Sequence, residues 1–219
     1  MMPGPDQIIA CPACQGLARY MTLASGNTFG ARSWTDGKQV APMLPRPPAV
    51  VRCHHCEACY WLAEAEKVGT VDPWRDGGEP VNPAWASAEE VEEPNEEDYY
   101  RALEQGLAQN PTEEKQARVL AWWRRNDAFR DTPEVQAEGA SNPSGPSREN
   151  LVALAQLLDE RDRIDRLMKA EVLRELGEFE SAKRLLKRVR AKSLATAVLQ
   201  IRSLCDRRDT LVRELPVDE

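Results

Sequence analysis

Over the first sixty residues, apolar and polar positions alternate in short runs broken by turn formers, a pattern that predicts strands rather than helices. Ile8-Ile9-Ala10 leads into Cys11, a mixed run covers 17–23, and Ala49-Val50-Val51-Arg52 runs up to Cys53. Runs at 29–34 and 38–44 flank Thr35-Asp36-Gly37, whose Asp-Gly tip predicts a hairpin. Pro45-Arg46-Pro47-Pro48 is stiff chain that cannot pair in a sheet centre. From residue 95 the period turns helical. Tyr99, Leu103 and Leu107 fall at i, i+4 and i+8, and Asn110-Pro111 stops that helix. A second helix from Thr112 carries Val119, Leu120, Trp122, Trp123 and Phe129, so short a turn between the two predicting an antiparallel hairpin. Past 147, with Ser147 read as the N-cap, four helical stripes follow: Leu151/Leu154/Leu158; Ile164/Leu167/Met168/Leu176; Phe179/Ala182/Leu186/Val189; and Leu194/Val198/Ile201/Cys205/Val212/Leu215 over about 193–215.

Composition divides the 219-residue chain at the same places. Residues 1–75 carry 7 basic and 6 acidic groups, 76–150 carry 7 and 17, and 151–219 carry 15 and 13, for the overall −7. All prolines but Pro216 lie before residue 147, and 151–215 holds one glycine, Gly177. The fold class read from this is α+β: a small antiparallel β module, then an α-helical hairpin and a helical block. Its boundaries fall at 1–67 (β module), 68–94 (acidic, proline-rich connector holding Trp74 and Trp85), 95–130 (helical hairpin), 131–147 (linker) and 148–219 (helical domain). The acidic run from Glu89 to Asp98 reads as a solvated helix start. A mean hydropathy of −0.58 and the lack of an 18-residue apolar run predict no membrane segment. The start MMPGPDQIIACPAC has neither a basic nor an apolar leader region, so the expected compartment is reducing cytoplasm. There, paired cysteines are read as metal ligands before disulfides.

Cys11-Pro12-Ala13-Cys14 and Cys53-His54-His55-Cys56 each end a strand-like run. Two Cys-x-x-Cys turns supply four thiolates, a set that binds one structural Zn²⁺ in tetrahedral geometry. Cys59, continuing the three-residue series, offers a substitute for Cys56, although a small buried hydrophobe is the simpler reading; a redox dithiol at Cys11/Cys14 is a further alternative. Cys205 reads as a core residue, and His54 and His55 as exposed and uncommitted. A four-thiolate site is closed to water and substrate, which argues against zinc catalysis. Over residues 7–62 the chain resembles the zinc-ribbon class, in which two such knuckles clamp one zinc at the end of a small antiparallel sheet. That class usually places glycine directly after the second cysteine. Here the position holds Gln15 and Glu57, where left-handed backbone is costly.

Ala170, Leu173, Gly177, Phe179, Ala182 and Leu186 resemble a tetratricopeptide repeat, without a second copy at the period of about 34 residues. The resemblance implies a concave groove for a protein or peptide, with Leu167, Glu171 and Arg174 as its partner-binding residues. Lys183, Arg184, Lys187 and Arg188 offer a second, basic face to an acidic partner or to the chain's own connector. No phosphate-cradling glycine loop or nucleophile–base set is visible, so the expected role is a non-enzymatic interaction protein with one structural zinc. The alternative is a nucleic-acid-associated regulator acting through the β module. Charge argues against it: four thiolates and Zn²⁺ take residues 1–75 from +1 to about −1. The combination resembles bacterial cytosolic proteins, and 22 Arg against 7 Lys points to a GC-rich genome.

Overall fold

Short alternating runs close into small sheets, while the helical stripes bury their apolar faces against one another. The computed structural model describes residues 1–72, 82–130 and 142–216 and is mixed α+β. It divides into two compact units: residues 1–31 with 41–107, and residues 32–40 with 108–219.

In the first unit, β2 (Asp6–Ala10) lies at the centre of a four-stranded sheet. It pairs antiparallel with β3 (Leu17–Tyr20) and β9 (Glu66–Val71), and β10 (Glu89–Glu90) adds parallel to β3. Two smaller antiparallel pairs join β1 (Met2–Pro3) to β4 (Leu23–Ser25) and β7 (Val50–Arg52) to β8 (Cys59–Trp61). The β2–β9 register slips at Ile8/Ile9, opposite Gly69. Trp85, on the single turn α1 (Pro83–Ala86), covers that glycine so closely that a Cβ there would lie 2.3 Å from its ring. Helix α2 (Glu96–Glu104) starts with a reciprocal capping box between Asn95 and Asp98, and three acids fill its first turn, where the helix dipole favours them. Trp61 Nε1 donates to Leu107 O at 2.9 Å just past the end of α2. Ile9, Cys11, Ala18, Val51, Cys53, Tyr60 and Ala65 form this unit's core.

The second unit contains α3 (Pro111–Arg130), α4 (Gly145–Leu157), α5 (Arg163–Glu175), α6 (Phe179–Leu186) and α7 (Ala195–Asp206). It also contains the hairpin β5 (Arg32–Ser33)–β6 (Gln39–Val40). Trp122 packs with Leu151, Leu154, Leu158, Val172 and Leu176, while Ala170, Phe179, Ala182, Leu186, Ile201 and Cys205 form a second cluster. Gly177, at φ +82°, ends α5: Glu178 N–H bonds Leu173 O at 2.8 Å, a closure that L side chains resist.

Several expectations are corrected. The helices of 95–130 are not a hairpin domain, because α2 belongs to the first unit and α3 to the second. Residues 32–40, inside the expected β module, belong with the helices instead. Apart from strand β9, turn α1 and strand β10, the connector of 68–94 includes 73–81, which with most of the linker lies outside the described residues. The last helix stops at Asp206 with Arg208 in left-handed conformation, and the chain returns extended: Thr35 N–H donates to Arg213 O at 2.9 Å, and Leu215 N–H to Ser33 O at 2.8 Å. Its apolar stripe continues past the helix because Leu211 and Val212 still point inward. Pro111 itself opens α3, and Asn110 Oδ1 accepts from Thr112 N–H and Glu113 N–H; Ser144, not Ser147, precedes α4. Among the described residues no helix is long and apolar enough to cross a membrane.

Candidate metal centre

Each knuckle starts where a strand runs out. Cys11 follows β2 and Cys53 follows β7, and the two turns repeat one hydrogen-bond pattern. Cys11 N–H donates to Gly16 O and Gln15 N–H to Cys11 O, both at 2.9 Å; Cys53 N–H donates to Ala58 O at 3.0 Å and Glu57 N–H to Cys53 O at 2.9 Å. Gln15 and Glu57 both take φ +61°, so the left-handed turn forms without the glycine usual there. Glycine stands one residue later in the first knuckle. A Cβ on Gly16 would lie 2.2 Å from the imidazole ring of His55, which crosses from the second knuckle.

The four sulfurs of Cys11, Cys14, Cys53 and Cys56 lie within 4.8 Å of one another, with Cys11–Cys56 at 3.8 Å and Cys14–Cys53 at 3.6 Å. Cys11 and Cys53 are buried in the sheet core and Cys14 and Cys56 are exposed. Amide groups face the sulfurs: Gly16 N–H lies 3.4 Å from Cys14 Sγ, and His55 N–H 3.4 Å from Cys53 Sγ. Burial pushes the Cys11 thiol up to about 12, opposed by the amides of Cys14 and Ala13. Burial also raises Cys53, but the amides of Cys56 and His55 and the neighbouring sulfurs outweigh it and bring that thiol down to about 7. Four converging sulfur donors fit a single metal ion and could hold one zinc.

Cys59 lies on β8 opposite Arg52 and outside the cluster; burial pushes its thiol up to about 11. Cys205 is buried in the helical core, where burial likewise raises it to about 11. His54 is not uncommitted. Its Nε2 lies 2.7 Å from Glu90 O and its Nδ1 3.5 Å from Glu89, tying the second knuckle to β10. Arg52 joins the same acidic edge through Glu57, Glu92 and Asp98, whose charges raise its pKa against the effect of desolvation.

Of the three residues expected to line a groove on α5, Glu171 and Arg174 do not face solvent. Glu171 and Arg174 are wholly buried and paired with each other at 2.6 and 2.8 Å, and Leu167 packs on the Ala170/Phe179 cluster. Arg174 also donates to Asp209 O and Leu211 O, anchoring the returning C-terminal chain.

This pair belongs to a buried polar network inside the second unit. Asp36, at the hairpin tip, accepts from Arg130 Nη2 at 2.5 Å and from Asn126 Nδ2 at 3.1 Å, while Trp123 Nε1 donates to its backbone oxygen at 3.0 Å. Asn126 Nδ2 also donates to Glu175 Oε1 at 3.0 Å, and Trp122 Nε1 to Glu175 Oε2 at 2.8 Å. Lys38 holds Asp127 at 2.7 Å, and Trp34 lies under the guanidinium groups of Arg32 and Arg130, each 4.9 Å from its centroid. Burial, with Glu171 nearby, pushes the Glu175 carboxyl up to about 8 against the pull of Arg174. The sequence signals are visible in retrospect: Trp122, Asn126 and Arg130 recur at i, i+4 and i+8 on α3, and Glu171 and Glu175 at i and i+4 on α5. Compared with protein-family models, with curated proteins and with solved structures, the chain finds no match.

Proposed function

We propose that the chain is a non-enzymatic interaction protein whose first unit is a zinc-ribbon-type module built on one structural Zn²⁺. The closed four-sulfur cluster carries the reading. Four protein thiolates complete the tetrahedron, leave no position for water or substrate, and crosslink two turns 38 residues apart in sequence. The tetratricopeptide-like pair α5–α6, with Ala170 and Ala182 at its close contact, acts in this reading as a support for the molecule rather than as a groove. Its Glu171 and Arg174 are spent on an internal ion pair.

The partner is a protein or peptide, held by the first unit. Met1, Met2, Met21, Phe29 and Met43 are all exposed there, Phe29 at 84%. Met1 and Met21 line a cleft of about 390 Å³ whose rim carries Asp6, Arg19 and Glu90. Thioether side chains adapt to an apolar partner surface, and exposed apolar groups rimmed by charge mark such contacts. Two measurements test the proposal. Native mass spectrometry is expected to find one zinc per chain. Crosslinking in the host is expected to capture a defined protein that Phe29→Ser and Met21→Asp lose while retaining the zinc. A chain that folds metal-free, or a partner that neither substitution affects, contradicts it.

A further inference from the structure

Charge is divided unequally between the two units. The first has 6 Lys and Arg against 15 Asp and Glu, and the second 23 against 21. Within the second the charges are further segregated: residues 181–205 hold seven Lys or Arg and no acid. On α6 and the turn after it, Ala182, Leu185, Leu186 and Val189 are buried, so the cations between them are turned outward. Arg184, Lys187 and Arg188 follow one another at i, i+3 and i+4, and Arg190 and Lys192 continue the line into the 3₁₀ turn Lys192–Leu194. Lys183 is neutralised by Glu180 and Asp206, and Arg188 by Glu160. Arg184 donates only to Ser181 Oγ, and Arg184, Lys187, Arg190 and Lys192 have no ion-pair partner among the described residues.

We infer that this ridge binds the phosphate backbone of a nucleic acid, without reading its sequence. Four unneutralised cations in nine residues concentrate positive charge along one line of a unit that carries 23 Lys and Arg against 21 Asp and Glu. A protein interface needs a desolvated apolar centre, and the outward positions of the ridge hold only Lys and Arg. Phosphate contact needs only the cations, with counterion release supplying the free energy. The β module and the acidic stretch after it repel phosphate, since the first unit is the acidic one. The inference is independent of the zinc reading: it concerns a different unit and survives if the metal is not zinc.

The test is fluorescence anisotropy of a labelled 20-base-pair DNA duplex titrated with the full chain. At 50 mM salt, binding in the micromolar range is expected, with a log–log salt slope of about −3 to −4 for four phosphate contacts and so about a hundredfold loss by 200 mM. Lys187→Glu/Arg190→Glu/Lys192→Glu removes the binding while the circular dichroism spectrum stays that of the parent, because none of these side chains has an ion-pair partner among the described residues. Arg46→Glu, exposed in the first unit, leaves it unchanged. No binding at 50 mM salt, binding that the triple variant keeps, or stronger binding to polyglutamate of equal charge would each overturn the inference, the last by assigning the ridge to an acidic protein.

Discussion

The two units organise buried charge in opposite ways. In the first, four thiols at the ends of two strand pairs face one point, and a single dication would satisfy all of them. In the second, Asp36, Glu171 and Glu175 are satisfied by Arg130, Arg174, Asn126 and Trp122, spread over a hairpin and two helices. In both, the polar groups lie on turn tips or on one helix face, where the backbone geometry sets their direction. The difference lies in how many elements must already be in place. A metal gathers two local turns, whereas the network needs α3, α5 and the 32–40 hairpin assembled together. The first unit should therefore depend on a ligand, and the second on its own packing.

The largest effect separates them directly. Chelating the metal, or Cys53→Ser, is expected to unfold the first unit, since structural zinc contributes on the order of 10 kcal/mol. Amide exchange would then show Ile8–Cys11 unprotected while α4 to α6 keep their protection. Equal loss in both units breaks the comparison. Next in size is Asp36→Ala, which strips the buried Arg130 of one of its two carboxylates and leaves only Asp127, at a cost of about 3 kcal/mol. The expected result is a lower melting temperature for the second unit with metal stoichiometry unchanged.

A pH dependence follows from Glu175. Its folded pKa is raised from 4.5 to about 8 by burial and by Glu171, so the folded state holds the proton more tightly than the unfolded one. Stability is then fully present below about 4.5 and falls as pH rises through about 8, by at most about 1.4 kcal/mol per unit for one group. The indole N–H resonance of Trp122, bonded to this carboxyl, should shift around pH 8, where the folded carboxyl titrates. A flat melting temperature and an unmoved resonance between about pH 5 and about pH 9 refute it. The smallest effect is local: Gln15→Gly, which relieves left-handed backbone in the first knuckle, raises stability by below about 1 kcal/mol, read from the chelator concentration at half-release. Glu57→Gly gains less, because it also removes the pair with Arg52.

Legibility followed the same division. Cys-x-x-Cys spacing is a local signal, and the knuckles lie where the alternating runs ended, at Cys11 and Cys53. Left-handed Gln15 and Glu57 were expected to disfavour such turns, yet the paired hydrogen bonds around them hold the conformation. The helices were legible from apolar stripes. The burial of Glu171 and Arg174 was not, because an i, i+3 ion pair on a helix reads the same whether solvent or Leu211 lies beyond it. Nor does any local pattern announce that Asp36, a hairpin-tip residue, finds its partners some ninety positions along the chain. That pairing is set by long-range packing alone.

The account rests on one metal held by four sulfurs. X-ray absorption at the zinc edge of the purified chain, with metal content measured on the same sample, tests this most directly. The account predicts one zinc per chain and a first shell of four sulfurs at about 2.3 Å, with no nitrogen or oxygen scatterer. A shell containing imidazole nitrogen from His54 or His55, an open position filled by water, or folded protein free of bound metal would contradict it.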